Sequence, residues 1–245
     1  MRAYEVLAGA YDALTEDVQY RRRADYLEKL MKRSRIPVRT VLDLACGTGT
    51  MTWELARRGY EMIGVDASTE MLSQAQIKTG EGITPLFLCQ SMPKLDLYGT
   101  VEAAVCCLDS LNYLTRPQDV QRTFERLRLF IAPGGILVFD VNTDSKLRAM
   151  DAQVYVDETE DTYCVWRTAY KNGLARYDMD IFTRFDDGAW ERSQETHRER
   201  IYSAEELTAW LKAAEFVNVC TYGDGVMRKP KPDEQRIYYT AIRGK

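Results

Sequence analysis

A chain of 245 residues, 45% hydrophobic and 29% charged, is long enough for one α/β domain with a modest insertion and too apolar for a disordered segment. A formal net charge of -4 gives no overall basic footprint for nucleic acid. With no apolar run of about 18 residues and an opening Met1-Arg2-Ala3-Tyr4-Glu5 unlike a signal peptide, a cytoplasmic protein without a membrane span is expected.

The first 35 residues read as helical and amphipathic, with Leu27, Leu30 and Met31 on one face; residues 1–36 are taken as an N-terminal helical cap ending at Pro37. An alternation then begins. Val41 to Ala45 is a strand buried on both faces, and Thr50 to Arg58 a helix closed by Gly59. Met62 to Val65 is a strand, and Ser68 to Lys78 a helix with Ser68 as N-cap. Leu86 to Cys89 and Val101 to Leu108 are the third and fourth strands. Pro117 to Ile131 is a helix with Val120, Phe124, Leu127 and Ile131 on one face. Pro133-Gly134-Gly135 turns the chain into a fifth strand, Ile136 to Val141.

From about Val154 to Tyr202 the apolar period drops to two, and Asn172-Gly173 and Asp187-Gly188 sit between β-rich runs as hairpin turns. This predicts an inserted antiparallel sheet of three or four strands within residues 143–202. Helical spacing returns at Leu207, Trp210, Leu211 and Ala214, and two last strands follow, Phe216 to Thr221 and Arg236 to Ile242. The expected fold is therefore α/β: a Rossmann-like, seven-stranded, mostly parallel sheet built from residues 37–142 and 203–245, with helices on both faces, an inserted antiparallel sheet after strand 5 and the helical cap.

The sharpest motif is Val41-Leu42-Asp43-Leu44-Ala45-Cys46-Gly47-Thr48-Gly49, a strand, a glycine turn and a helix start. Gly47 and Gly49 permit backbone conformations and close approaches that other residues resist. A GxG after a strand also fits a dinucleotide site, but the third glycine of that fingerprint falls on Thr52. Asp66, closing Ile63-Gly64-Val65-Asp66, can accept from both hydroxyls of a ribose at the carboxyl edge of a parallel sheet; its alternative role is a cap on the following helix.

These motifs resemble those of class I S-adenosylmethionine (SAM)-dependent methyltransferases: DLACGTG looks like their first motif, Asp66 like their ribose-binding acid, and Pro133-Gly134-Gly135 like the turn before their fifth strand. The resemblance implies SAM as cofactor, with Asp43, Ala45, Cys46, Gly47 and Gly49 around its methionine part and ribose. It places Asp66 on the ribose, Ala67 and Met71 beside the adenine, and Gln90, Ser91 and Met92 along the ring. Serine stands at position 91, where relatives often carry an acid for the adenine amino group. The segment Cys107-Leu108-Asp109-Ser110-Leu111-Asn112-Tyr113 occupies the position that faces the methyl group, bringing Leu108 and Asp109 to it. The N-terminal Tyr11 and Tyr20 resemble the tyrosines that cover the cofactor in sugar-nucleotide N,N-dimethyltransferases and glycine N-methyltransferase, which share the β insertion. Uncharacterised bacterial methyltransferases pair a DSLNY segment with an ETHxxR segment, as here in Glu195-Thr196-His197-Arg198-Glu199-Arg200.

On a strand, Glu195, His197 and Glu199 share one face. His197, the single histidine, and Asp109 are the candidates to take a proton from an amine acceptor, with Tyr11 a third catalytic candidate. The alternatives are a solvated strand with cross-strand ion pairs, a turn or cap role for Asp109, and a core role for Tyr11. One histidine and scattered acids offer no metal-ligand spacing. The six cysteines, Cys46, Cys89, Cys106, Cys107, Cys164 and Cys220, form no CxxC pair and read as reduced thiols.

The expected partner is a small-molecule methyl acceptor, methylated on N or O, in a possible-homodimer frame provided by the inserted sheet. A tRNA or RNA methyltransferase is the alternative held open by Arg21-Arg22-Arg23, Lys29, Lys32, Arg33 and Arg35, which read first as a solvated helix face. A non-catalytic SAM-binding protein is the other. An NAD-linked oxidoreductase is disfavoured by the missing third glycine.

Overall fold

The computed structural model describes residues 4, 6–80 and 82–245; residues 1–3 and 5, at the start of the expected cap, lie outside the described residues. Helices α1 (Tyr11–Leu14) and α2 (Tyr20–Met31) precede β1 (Thr40–Leu44), α3 (Thr50–Arg57), β2 (Glu61–Asp66), α4 (Thr69–Ile77), β3 (Leu86–Cys89), β4 (Val101–Cys106), α5 (Pro117–Phe130) and β5 (Ile131–Asn142). Helix α6 (Asp144–Ala149) leads into β6 (Val154–Glu158), β7 (Thr162–Lys171), β8 (Leu174–Arg184) and β9 (Trp190–Arg200), and the chain closes with α7 (Ala204–Ala213), β10 (Phe216–Gly223) and β11 (Arg236–Arg243).

The larger sheet has seven strands in the order β10-β11-β5-β4-β1-β2-β3. Strands β1 to β5 pair in parallel, while β11 runs antiparallel to both β5 and β10. After β3 the chain crosses back to lay β4 on the other side of β1, so the strand order reverses there and a crevice opens at the carboxyl edge. The apolar runs are explained by burial on both faces. Val41 packs with Leu27, Leu30 and Leu55 of α2 and α3, whereas Leu42 and Leu44 pack with Phe124, Leu127, Leu207 and Leu211 of α5 and α7. Each such side chain contributes roughly 1.5–3 kcal/mol through removal of apolar surface from water.

Local signals fix several element ends. Ser68 accepts from the Met71 amide at 3.1 Å and starts α4. Ser203 and Glu206 form a reciprocal capping box on α7. Two expectations change. The first 35 residues are not one helix: short 3-10 turns and the four-residue α1 precede α2, because Gln19 takes a left-handed conformation (φ 53°) that no helix continues through. Pro133-Gly134-Gly135 is a bulge inside β5 and not a turn before it, since two steps along β4, from Val101 to Ala103, correspond to five along β5, from Ile131 to Ile136. Gly135 lies so close to β4 that a Cβ there would stand 2.5 Å from the Glu102 carbonyl oxygen.

The second sheet has four antiparallel strands in the order β6-β7-β8-β9. Asn172 and Gly173 link β7 to β8 with φ of 52° and 77°, the paired left-handed residues of a tight hairpin. On β7 and β8 the face toward the rest of the molecule is mainly apolar: Cys164, Met179 and Ile181 pack with Leu7, Tyr11 and Leu14 of the N-terminal segment, and Ala175 and Tyr177 with Leu147 of α6. Asn112 clasps the two sheets together. It is fully buried, donates to the Arg200 carbonyl at the end of β9 (2.8 Å) and accepts from the Asn142 amide at the end of β5 (3.0 Å). Among the described residues no helix is long and apolar enough to cross a membrane.

Candidate active site

The turn after β1 and the end of β2 meet. Cys46 N donates to the Val65 carbonyl at 3.0 Å, and Gly47 N donates to Asp66 Oδ2 at 2.8 Å. Ser68 N reaches Asp66 Oδ1 at 2.9 Å, so the carboxylate spans the turn and the start of α4. Burial pushes the Asp66 carboxyl up from its usual range, with the amides of Ser68, Gly47 and Ala67 pulling the other way. Ala45, Gly47 and Gly49 all have positive φ (61°, 55° and 71°), which turns successive backbone groups toward one concavity. Gly49 is packed differently from Gly47. A Cβ on it would lie 2.9 Å from the Ala75 Cβ and 3.0 Å from the Phe87 ring, so it seats α3 against α4 and β3. Thr52, where a dehydrogenase would carry its third glycine, is fully buried and donates to Asp43 Oδ2 at 2.6 Å. Burial nevertheless drives the Asp43 carboxyl up to about 6.

A cavity of about 390 Å³ opens over this turn, within the roughly 300–1,000 Å³ typical of small-molecule sites. Its floor is Asp43 and Ala45 to Thr48, one side is Asp66, Ala67 and Met71, and another is Gln90, Ser91 and Met92. Leu108 comes from the end of β4, and Tyr11 and Tyr20 from the N-terminal segment. The structure thus brings every expected cofactor-side residue to one cavity except Gly49, which lies beneath it, and Asp109. The Gln90 side chain is spent on the Asp96 backbone, donating to its carbonyl (2.9 Å) and accepting from its amide (2.8 Å), which leaves the ring-facing position to backbone and neighbours.

Asp109 lines an adjoining cavity of about 340 Å³ with His197, Glu199, Tyr177 and Lys146. Tyr4, Tyr11 and Tyr113 line both cavities and form the wall between them. Leu108 and Asp109 are both left-handed (φ 57° and 54°), a strained pair held by the buried Asp140, which accepts from their amides at 3.1 and 2.6 Å. Arg236 of β11 joins Asp140 (2.8 Å) and Asp109 (2.5 Å). Burial alone would raise the Asp109 carboxyl, but Arg236, Lys146 and Arg23 together outweigh it and hold it below the usual range. That makes Asp109 an ion-paired carboxylate and a weak proton acceptor.

His197 is buried, only 3% exposed, as are Glu195 and Glu199; the three share the inner face of β9, and the strand is not a solvated one there. His197 Nε2 lies 2.7 Å from Glu195 Oε2 and Nδ1 lies 3.3 Å from the Tyr113 hydroxyl, to which Tyr4 donates at 2.7 Å. Glu195 also accepts from the backbone amides of Tyr4 (2.8 Å), Val6 (2.5 Å) and Leu7 (3.0 Å). Burial would raise its carboxyl, but His197 and these amides hold it below the usual range. The ETH segment therefore anchors the N-terminal segment over the site. Asp12 fastens the same segment to the glycine turn, accepting from Thr48 at 2.6 Å and Thr50 at 3.0 Å and pairing with Lys78 at 2.5 Å.

Sequence reasoning missed the roles of Tyr4, Asp12, Asp140 and Arg236, whose partners described above lie 31 to 191 positions away in the chain. The arginine run is partly structural: Arg23 donates to Tyr238 (2.9 Å) and to the Val18 carbonyl (3.0 Å). Cys106, Cys107 and Cys164 are buried, while Cys89 is exposed, and none of the six is disulfide-bonded.

Residues 41–135 match the family described as a methyltransferase domain. Over 99% of its length, and 98% of the relative's, the chain is 34% identical to "Putative methyltransferase YqeM" of Bacillus subtilis (strain 168). This chain is a member of that methyltransferase family. The methyltransferase is also similar to a solved S-adenosylmethionine-dependent methyltransferase from Clostridium acetobutylicum ATCC 824, 26% identical with a TM-score of 0.85 over 100% of both chains. It shares its fold with the sugar N-methyltransferase KedS8 from Streptoalloteichus sp ATCC 53650, 20% identical with a TM-score of 0.80 over 96% of this chain and 93% of that one. S-adenosylmethionine is the methyltransferase's cofactor. The first cavity fits it on its own terms: a glycine turn open to the void, with no atom within 4 Å of where a Gly47 Cβ would stand, beside a half-buried carboxylate at a strand end.

Proposed function

We propose that this methyltransferase moves the methyl group of S-adenosylmethionine to a nitrogen or oxygen of a small molecule held in the second cavity. The observation that carries this reading is the shared wall: two cavities of small-molecule size meet at Tyr4, Tyr11 and Tyr113. In this reading Asp66 accepts from the ribose hydroxyls, the backbone from Ala45 to Gly47 approaches the amino-acid end, and Ala67, Met71 and Met92 flank the adenine. Bound S-adenosylmethionine supplies an electrophilic methyl on a sulfonium whose leaving group is neutral. The protein then has little charge to stabilise at the leaving atom, and its work is to position the acceptor and exclude water. Tyr4, Tyr11 and Tyr113 do both. Burial raises the phenols of Tyr4 and Tyr11, and that of Tyr113, well above their ordinary value, so they stay protonated and act as walls and hydrogen-bond donors.

Calorimetry with S-adenosylhomocysteine, the demethylated cofactor, tests the first cavity. Asp66→Ala removes two charge-assisted acceptors, so affinity is expected to fall by roughly ten- to a hundred-fold or more. Unchanged affinity would remove the cofactor from this cavity.

A further inference from the structure

The second cavity holds a carboxyl whose partners do not neutralise it. Glu199 is 3% exposed, and among the described residues it makes no ion pair. Its Oε2 accepts from Asn142 Nδ2 at 2.8 Å. Lys146 Nζ, the nearest ammonium of the cavity wall, donates instead to Asn142 Oδ1 at 2.8 Å, which orients the amide so that its NH2 faces Glu199. Arg236 is spent on Asp109 and Asp140, and His197 on Glu195 and Tyr113. A buried carboxylate without a cation costs several kcal/mol unless it keeps a proton or gains a positive partner.

We propose that Glu199 binds and deprotonates a primary or secondary ammonium group of the acceptor, so that the enzyme is an N-methyltransferase of small amines. The inference rests on the second cavity being the acceptor site. In the step, an N–H bond of the ammonium breaks with its electron pair left on nitrogen, and an O–H bond forms on Glu199. The nitrogen lone pair is then available to the methyl group. The proton that Glu199 carried beforehand goes to the buffer as the acceptor binds, and Glu199 keeps the acceptor's proton when the methylated ammonium departs, so each turnover releases one proton. Asp109 cannot serve, because Arg236 holds it as a weak base. His197 sits one pleat away with both ring nitrogens engaged.

The electrostatics agree. Burial first, and then the charge of Asp109, push the Glu199 carboxyl up to about 8, against the pull of Asn142, Tyr177 and Lys146. Asp109, Tyr177 and Lys146, with His197 along the strand, Arg236 behind Asp109, Tyr4, Tyr11 and Tyr113 on the shared wall, and Asp17, Asp157 and Cys164 farther round the cavity, are the titratable and charged groups around it. At neutral pH the free protein carries a proton on Glu199 and a free amine carries its own. When the two meet, one proton must go to the buffer, whichever group keeps the other.

That proton is countable. Protein saturated with S-adenosylhomocysteine is titrated calorimetrically with cyclohexylamine and, as its neutral match, cyclohexanol, in buffers of different ionisation enthalpy. Cyclohexylamine is expected to bind roughly ten-fold tighter or better, the factor of one charge-assisted hydrogen bond. It should release close to one proton at about pH 6.5 and nearly none at about pH 9. Glu199→Gln should abolish the preference and the release while leaving S-adenosylhomocysteine affinity unchanged, and Glu199→Asp should restore the release. Equal affinity for the two probes, or a proton release that survives in Glu199→Gln, overturns the proposal alone. If neither probe binds, the acceptor-site reading falls with it. The wild-type proton count needs no variant, so a misfolded substitution does not shield the proposal.

Discussion

Asp43 is a carboxyl that the folded protein favours in its protonated form. Its value rises from an ordinary 3.8 to about 6 because it lies inside the sheet edge beneath the glycine turn, with Thr52 as its hydrogen-bond donor. The folded chain therefore binds more protons than the unfolded chain between about pH 4 and pH 6, and stability falls as pH rises through that window. Asp43→Asn should remove that slope. Urea midpoints taken across the window should show it, with the wild type losing on the order of 2–3 kcal/mol relative to the variant; parallel curves would contradict it. At this scale the sequence was readable where chemistry is local. Gly47, Asp66 and Ser68 act on backbone within a few positions or one strand away, so spacing revealed them. Glu199 and Asp109 were legible as polar residues but not as roles. Arg236 makes Asp109 a poor base and Asn142 leaves Glu199 without a cation, and neither partner is a sequence neighbour.

Among elements, the N-terminal segment matters most to the site. It has little core of its own; it is held by Glu195, which takes three of its amides and His197, and by Asp12 on the glycine turn. Glu195→Ala should release it. Hydrogen exchange at the Val6 and Leu7 amides is expected to accelerate by roughly ten-fold or more, since each bond to a carboxylate is worth about 1.5–3 kcal/mol. Exchange in β1 and β4 should stay unchanged. His197→Ala should act on the same element: turnover is expected to drop by about ten-fold or more while S-adenosylhomocysteine affinity changes less, a split read from kcat against calorimetric Kd. The β5 bulge offers an independent element-scale test. Gly135→Ala drives a Cβ into the Glu102 carbonyl and should cost roughly 1–3 kcal/mol of stability by denaturant melt. Strand and helix positions came from periodicity because burial on one or two faces dictates it. The bulge and the broken N-terminal helix did not, since no repeat encodes the left-handed turn at Gln19 or the close approach of Gly135 to the Glu102 carbonyl. The six-residue α6 is too short to show a period at all.

For the whole molecule, the cofactor should behave as a structural ligand. Bound in the first cavity as proposed, it would bridge the turn after β1, the end of β2 and the segment after β3, none of which is tied to the others by more than a few hydrogen bonds. At a hundred times its Kd, S-adenosylhomocysteine should add about 2.7 kcal/mol to stability, which for a chain of this size raises Tm by roughly 5–10 °C in calorimetry. An unmoved Tm would mean the first cavity does not bind it. The two-sheet architecture, one sheet mostly parallel and one antiparallel, was legible as a whole because alternating elements and hairpin turns leave few topologies open; the order of the strands was read only from the structure. The clasp at Asn112 that fixes one sheet on the other was not, because a single buried amide leaves no pattern.

The tyrosine partition has a consequence for how the two ligands sense each other. Tyr4, Tyr11 and Tyr113 belong to both chambers, so whichever molecule arrives first immobilises a surface that the second then finds already ordered. If the two chambers hold the ligands proposed for them, occupancy of one is expected to tighten the other, by equal factors in both directions, and an amine that binds weakly to the empty protein should bind more firmly once the nucleoside is in place.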